Sequence, residues 1–247
     1  MKGELREMER SHRAGPDDGW RETWGFTFAQ ELDRTEPGTH GGPAWLGGFA
    51  ECTLVPRQRH VWFTSGIVID GRSYVLCRDH DLSLPADPNL FEVRGGALWM
   101  HAICETPGEH WTVAMEAFAL SFDNPTEAWC DERGDRIGLA FDLEWEAKPS
   151  DITTIDGGYE MPCEVHGVLQ LGDDEWELDA LGARFHQWGD APSGEWRSEG
   201  GNSAGDRVTL ADAPYLSEND DGSPRRVRRT LDRIASNGAL QWTWACP

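Results

Sequence analysis

Apolar and polar side chains alternate along most of this chain with a period of two residues. The clearest example is residues 137–147, where the acidic residues and small residues share one face. The other face carries large apolar side chains, namely Ile137, Leu139, Phe141, Leu143 and Trp145. A helix would mix the two sets, whereas a strand with one buried face separates them. The pattern therefore predicts a β-strand.

Turn signals separate further segments of the same kind. Asp70-Gly71 and Asn237-Gly238 each lie between two β-rich runs, and such dipeptides predict hairpins because the tight turn needs positive φ angles. A short helix is predicted only within residues 4–13, ending before Gly15-Pro16. The other predicted strands lie at residues 24–28, 61–69, 73–78, 111–122, 165–171, 176–182, 225–234 and 240–244.

Residues 148–158 are rich in Pro, Ser, Asp and Gly, which predicts a linker between two β regions. A second polar, Gly/Ser-rich run at residues 190–205 predicts a long exposed loop. We therefore predict an all-β chain with two consecutive antiparallel barrel or sandwich modules. Its predicted parts are an N-terminal tail with a short helix, an N-terminal module and a C-terminal module, at residues 1–19, 20–150 and 151–247.

The charge of the chain changes which partners are expected. The formal net charge is −22, which repels phosphate backbones and anionic lipid headgroups, so we expect neither nucleic acid nor a membrane surface as a partner. No apolar run is long enough to span a bilayer. Residues 1–15 contain no apolar signal core, and the six cysteines form no C-x-x-C pair. These features predict a cytoplasmic protein with reduced thiols. They say nothing about its oligomeric state.

No strong cofactor or metal signature occurs in the sequence. It contains no phosphate loop, dinucleotide fingerprint, H-E-x-x-H or nucleophile elbow, so we expect neither a cofactor nor a metal ion. Glu144 and Glu146 share one face of a predicted strand, and glycosidases act through paired carboxylates. A carbohydrate-active β-sandwich is therefore one hypothesis. The simpler interpretation is the hydrated face of a strand.

The strongest candidate for a functional site lies directly after the predicted strand 176–182. Arg184, His186 and Trp188 alternate, so all three should point to the interior side of one strand. An Arg and a His are costly to bury unless they are paired, and such groups are often kept for function. Asp179 and Glu160 are the nearest candidate partners in the sequence. A network that holds the two modules together is the alternative interpretation.

Residues 159–189 also carry a family likeness. They read YEMPCEVHGVLQLGDDEWELDALGARFHQWG and resemble the lipocalin-like carotenoid hydratase family, also called AttH-like. The likeness, in layout, extends from about Trp20 to the end of the chain. Phe185 and Gln187 stand where the family usually has Asp and Ser. The matching positions are Tyr159, Glu160, Pro162, Gly167, Gly182, Arg184, His186, Trp188 and Gly189.

The resemblance implies two lipocalin-like modules with a pocket for an apolar small molecule. Relatives add water to a carotenoid double bond, close rings on prenylated phenols or catalyse cofactor-free Diels–Alder cyclisation. A dry aromatic pocket would fold the substrate into a reactive shape, and polar groups would protonate an alkene or polarise a carbonyl. The leading hypothesis is therefore a cofactor-independent cyclase, hydratase or isomerase, of the lyase or isomerase class, acting on a polyene, isoprenoid or polyketide.

Under this hypothesis His186 is the acid/base or hydrogen-bond donor, and Arg184 and Glu160 orient it. The expected substrate-binding residues are Trp188, Tyr159, Tyr215, Asp212 and Trp145. The alternative is a non-catalytic carrier of a lipophilic ligand, which needs the pocket but no acid.

Overall fold

The computed structural model describes residues 2–16, 19–32, 45–85, 91–124, 127–128, 134–155, 157–190, 207–212, 227–233 and 240–245. They form one short helix, α1 (Lys2–Met8), and fourteen strands. The first seven strands are β1 (Trp20–Glu31), β2 (Trp45–Val55), β3 (His60–Ile69), β4 (Tyr74–Ser83), β5 (Phe91–Arg94), β6 (Leu98–Thr106) and β7 (His110–Phe122). The others are β8 (Asp135–Glu146), β9 (Thr153–Ile155), β10 (Gly158–Leu171), β11 (Asp174–Asp190), β12 (Arg207–Asp212), β13 (Val227–Arg233) and β14 (Leu240–Ala245).

Eight of these strands close into an antiparallel ring in the order β1, β2, β3, β4, β7, β8, β10 and β11. The last strand pairs back to the first, from Trp20↔Asp190 to Ala29↔Leu181. The β4–β7 pairing is shorter, from Tyr74↔Phe122 to Leu76↔Leu120. Closure matters because it pairs the sheet edges that would otherwise stay open. The predicted all-β, barrel-like fold is confirmed.

Strands from both sides of residue 150 lie in this one sheet. β8 pairs with β10 from Leu139↔Leu171 to Glu146↔Glu164. Between them, the predicted linker contains a 3₁₀ turn at Pro149–Asp151 and the short strand β9. β12, β13 and β14 form a separate three-stranded antiparallel sheet. The division into modules 20–150 and 151–247 stays a prediction.

The turn predictions have different outcomes. The hairpin at Asp70-Gly71 is present between β3 and β4, and Gly71 has a φ of 69°. The Asn237-Gly238 turn and most of the predicted loop at 190–205 lie outside the described residues. No helix in the described part of the chain is long and apolar enough to cross a membrane, while a cytoplasmic location stays a prediction.

Large side chains fill the interior of the barrel. Trp145 is the largest of those that are fully buried, and its ring centroid lies 5.2 Å from that of Phe26 and 6.4 Å from that of Phe28. Its indole Nε1 donates a hydrogen bond to the Thr27 carbonyl oxygen at 3.0 Å. The alternation of β8 therefore sends its apolar face into a packed core, as expected for a barrel of eight strands.

A second apolar cluster covers the opposite face of the sheet around Phe185. Its other buried members are Ala29, Trp45, Phe49, Val68, Tyr74, Leu76, Phe122 and Ala128. The neighbouring residues of β1 belong to the interior cluster. Both faces of β1 are thus buried, and the Phe185 ring packs over the β1 residue opposite it in the register, which must therefore be small.

Gly25 is that small residue, and we expect Gly25→Ala to lower the free energy of unfolding by about 1–3 kcal/mol. A Cβ at Gly25 would lie 2.1 Å from two ring carbons of Phe185, so the ring must move. Gly138→Ala on β8 is the matched control, because nothing lies within 4 Å of its added Cβ. Urea unfolding followed by Trp fluorescence measures both. Equal midpoints for the two variants would contradict this packing.

Candidate functional site

The N-terminal segment, residues 2–16, packs against the end of the barrel where β1, β7 and β10 begin and β11 ends. Leu5 in α1 and Glu9 directly after it are buried. The backbone carbonyl of Met8 and the side chains of Glu9 and His12 contact barrel residues. The segment therefore adds polar groups to the end of the barrel where Glu22, Arg184 and His186 are buried.

Glu9 forms the first of two buried polar groups. Its Oε1 accepts hydrogen bonds from the Gly108 amide at 2.9 Å and from Arg184 Nη1 at 2.8 Å. Its Oε2 accepts from Trp111 Nε1 at 3.0 Å and from the Tyr159 hydroxyl. Arg184 Nη1 also donates to the Tyr159 oxygen at 2.8 Å. A buried carboxylate with this many donors and an arginine is well compensated.

The pKa shifts in this group follow from burial and from its charges. Burial opposes the positive charge of Arg184, yet its pKa is raised because acidic neighbours, including Glu9, favour the charged form. Burial raises the pKa of Tyr159 well above its ordinary value. Arg184 therefore stays charged, and Tyr159 stays a neutral hydroxyl at physiological pH.

Glu22 forms the second polar group, and its side chain is fully buried. Its Oε1 accepts from the His12 amide at 2.7 Å and lies 2.8 Å from His12 Nδ1 and 2.9 Å from His186 Nε2. Its Oε2 accepts from the Ser11 hydroxyl at 2.9 Å. His186 Nδ1 lies 2.6 Å from the Met8 carbonyl oxygen. A carbonyl oxygen only accepts, so this Nδ1 carries a hydrogen.

The charge states of this second group are set by opposing effects. Burial lowers the pKa of His186 and outweighs the raising effect of Glu22. Burial would raise the pKa of Glu22, but hydrogen bonds from His12 and His186 outweigh it and hold that pKa below its ordinary value. Glu22 is therefore a carboxylate at neutral pH.

Aromatic rings hold the two histidines in place. His186 stacks on Trp24 with ring centroids 4.2 Å apart, and His12 stacks on Trp188 at 3.7 Å. The Tyr159 ring meets His186 edge to face at 6.0 Å. These contacts restrict the rotation of both imidazoles and fix the direction of their ring nitrogens.

A groove of about 870 Å³ lies beside the two polar groups, between the N-terminal segment and the barrel. The segment contributes Arg6, Glu9, Arg10 and Ser11 to its lining. The rest of the lining combines apolar side chains, namely Trp24, Phe91, Ala102, Cys104 and Trp111, with Glu105, Thr106, Pro107 and Glu109 from the β6–β7 connection. Trp24 is shared, since it lines the groove and also stacks on His186. The groove thus combines an aromatic wall with a rim of both charges.

A family model described as a domain of unknown function, DUF7064, matches residues 6–197. The chain belongs to the DUF7064 family. The matched range includes both buried polar groups and the strands that carry them. No curated protein and no solved structure matches the chain.

In this DUF7064 protein four of the sequence-predicted site residues come together. Tyr159 lies opposite His186 in the β10–β11 register, and Arg184, His186 and Trp188 share one face of β11 as predicted. All four belong to the polar groups or to the rings packed on them. Their carboxylate partners are Glu9 and Glu22, neither of which was a predicted site residue.

The other predicted site residues lie elsewhere. Glu160 is opposite Phe185 in the register, on the face of β10 away from His186, and burial raises its pKa. Trp145 lies in the barrel core. Asp212 falls on β12, and Tyr215 lies outside the described residues. Asp212 and Tyr215 thus stay predictions.

Two sets of side chains in the described ranges of this DUF7064 protein have the spacing to hold a metal ion. One is His12, Glu22 and His186, with the ligand atoms all within 4.8 Å of one another. The other is His110 with Glu144 and Glu146. Both of these glutamates are exposed on the outer face of β8, and neither lines the groove.

The sequence offered one signal for Glu22. In β1 it shares the alternating face of Trp20, Trp24, Phe26 and Phe28, so an acid stands on a strongly apolar face. Such a position requires a buried partner. Glu9 has no comparable signal, because it follows a short helix in a segment charged throughout.

Proposed function

We propose that this DUF7064 protein binds an apolar small molecule, of the polyene, isoprenoid or polyketide class, in the groove at the end of the barrel. The observation that carries the proposal is the aromatic wall of Trp24, Phe91 and Trp111 in a groove of about 870 Å³. Small-molecule sites combine such apolar walls with a few polar groups. Arg6, which also lines the groove and is exposed, would hold a polar end of the ligand.

Binding is supported ahead of catalysis by the position of His186. Its side chain is 0% exposed, and both ring nitrogens already have a polar neighbour. His186 would reach a ligand only after the N-terminal segment moves. A cofactor-independent cyclase, hydratase or isomerase is the second candidate. It is favoured because only the Trp24 ring lies between the groove and His186, which contacts Glu22.

Cys104→Phe is expected to weaken binding of a polyene probe, all-trans-retinol, at least tenfold, about 1.4 kcal/mol. The added ring would fill the groove that Cys104 lines. Ile103→Phe is the matched control, because Ile103 is next to Cys104 on β6 but its side chain is exposed and does not line the groove. Quenching of intrinsic Trp fluorescence measures both affinities, and the control should stay within twofold.

Two results would contradict the proposal: no saturable binding to the wild-type protein, or equal affinities of the two variants. Mass spectrometry of the same incubations separates the two candidate functions. A rearranged or hydrated product that depends on the protein supports the enzyme. Bound probe recovered unchanged supports the carrier.

A further inference from the structure

We propose that His12, Glu22 and His186 form a binding site for a divalent transition-metal ion of the zinc and cobalt class. Two imidazoles and one carboxylate are a ligand set that such ions commonly take. The ligands come from residues far apart in the sequence, so no clustered spacing predicted the site. The fold brings them together through β1, β11 and the N-terminal segment.

The geometry of the three ligand atoms fits one ion. Glu22 Oε1 lies 2.8 Å from His12 Nδ1 and 2.9 Å from His186 Nε2, and all three atoms lie within 4.8 Å of one another. Ligand atoms bound to one zinc ion at bond lengths near 2.0–2.2 Å lie roughly 3 Å apart. The three atoms can therefore converge on one ion with small side-chain adjustments.

The hydrogen position on His186 gives the second argument. Its Nδ1 donates to the Met8 carbonyl, which leaves Nε2, 2.9 Å from Glu22 Oε1, as the ring nitrogen that can bind an ion. Histidine ligands of metal ions almost always donate their other ring N–H to a carbonyl, carboxylate or water, as His186 does here.

A second proton on His186 is the competing explanation, because an imidazolium would also satisfy Glu22. The surroundings favour the metal ion in two ways. Ser11 and the His12 amide hydrogen-bond the carboxylate, and Trp24 and Trp188 fix the rings, which is the support that ligands need. The His12 side chain is 26% exposed, so an ion and its remaining water ligand have access from solvent.

The test uses chelator-treated, full-length protein titrated with Co²⁺ and with Zn²⁺. Co²⁺ should give the visible absorption bands of a low-coordinate site, saturating at one ion per chain, and Zn²⁺ should raise the thermal midpoint. His12→Asn, at a partly exposed position, should weaken both effects at least tenfold. His110→Asn is the matched control in the surface set with Glu144 and Glu146, and it should stay within twofold of wild type.

The proposal is overturned by an absence of Co²⁺ bands and of any Zn²⁺ effect in the folded wild-type protein, since His186 then carries the second proton. It is also overturned if His12→Asn binds as the wild type does, or if His110→Asn loses the ion instead. Retinol binding in the groove is a separate readout. Its failure would reject the proposed function and leave the metal site standing.

Discussion

Arg184→Met is expected to lower the free energy of unfolding by about 3–5 kcal/mol, because it leaves the Glu9 carboxylate buried without its positive partner. Both side chains are almost completely buried, at 1% and 3% exposure. The Tyr159 hydroxyl also loses a hydrogen-bond donor. Methionine approximates the length of the arginine stem, so the change removes mainly the charge and its hydrogen bonds.

Two variants make this test specific to the buried pair. Adding Glu9→Gln to Arg184→Met should recover most of the loss, since a neutral amide can still accept from the Gly108 amide and costs less to bury. Arg72→Met breaks the exposed Arg72–Asp174 pair on the barrel surface and should cost less than about 1 kcal/mol. Urea unfolding measures all three. A loss for Arg184→Met no greater than for Arg72→Met would contradict the charge compensation.

The period-two pattern predicted the barrel strands except β2, and it predicted the inward face of β11. Arg184, His186 and Trp188 do share one face, and Phe185 lies on the other, against Gly25. The local pattern predicts such faces because successive side chains of a strand point to opposite sides, so apolar residues at every second position mark the buried side. It also predicted the β3–β4 hairpin from Asp70-Gly71, since that turn depends on two adjacent residues.

The partners of the buried charges were not predictable in the same way. Glu9 and Glu22 contact Arg184 and His186 across more than 160 residues of sequence, and alternation carries no information about which strands meet. Closure of the barrel through the β4–β7 and β11–β1 pairings was also not predictable, because it too depends on which strands meet. Glu160 was chosen because it is near in sequence, yet its strand register places it on the opposite face.

The N-terminal segment contributes to both the groove and the candidate metal site. It supplies one wall of the groove through Arg6, Glu9 and Arg10, and it supplies His12 to the candidate metal site. An ion bound to His12, Glu22 and His186 would tie the segment to β1 and β11. The shape of the groove then depends on how firmly the segment is held, because the groove lies between the segment and the barrel.

Trp145→Ala should destabilise the protein by about 3–5 kcal/mol. The alternating pattern correctly predicted that this side chain points into the barrel. The inward face of β8 is packed core, however, and not the wall of a ligand site. Trp145 is 1% exposed and packs on Phe26 and Phe28. The variant would also remove the hydrogen bond from its indole to the Thr27 carbonyl. The cost combines lost apolar burial with the cavity left behind.

Phe118→Ala on β7 is the control, because this aromatic side chain is 69% exposed on a barrel strand. It should change the free energy of unfolding by less than about 0.5 kcal/mol. Retinol affinity measured on the same folded samples separates the two roles of Trp145. A core residue lowers the unfolding midpoint and leaves retinol affinity within twofold below that midpoint. A residue in the ligand-binding wall would instead lower retinol affinity and leave the unfolding midpoint unchanged. That result would show that Trp145 belongs to the ligand site.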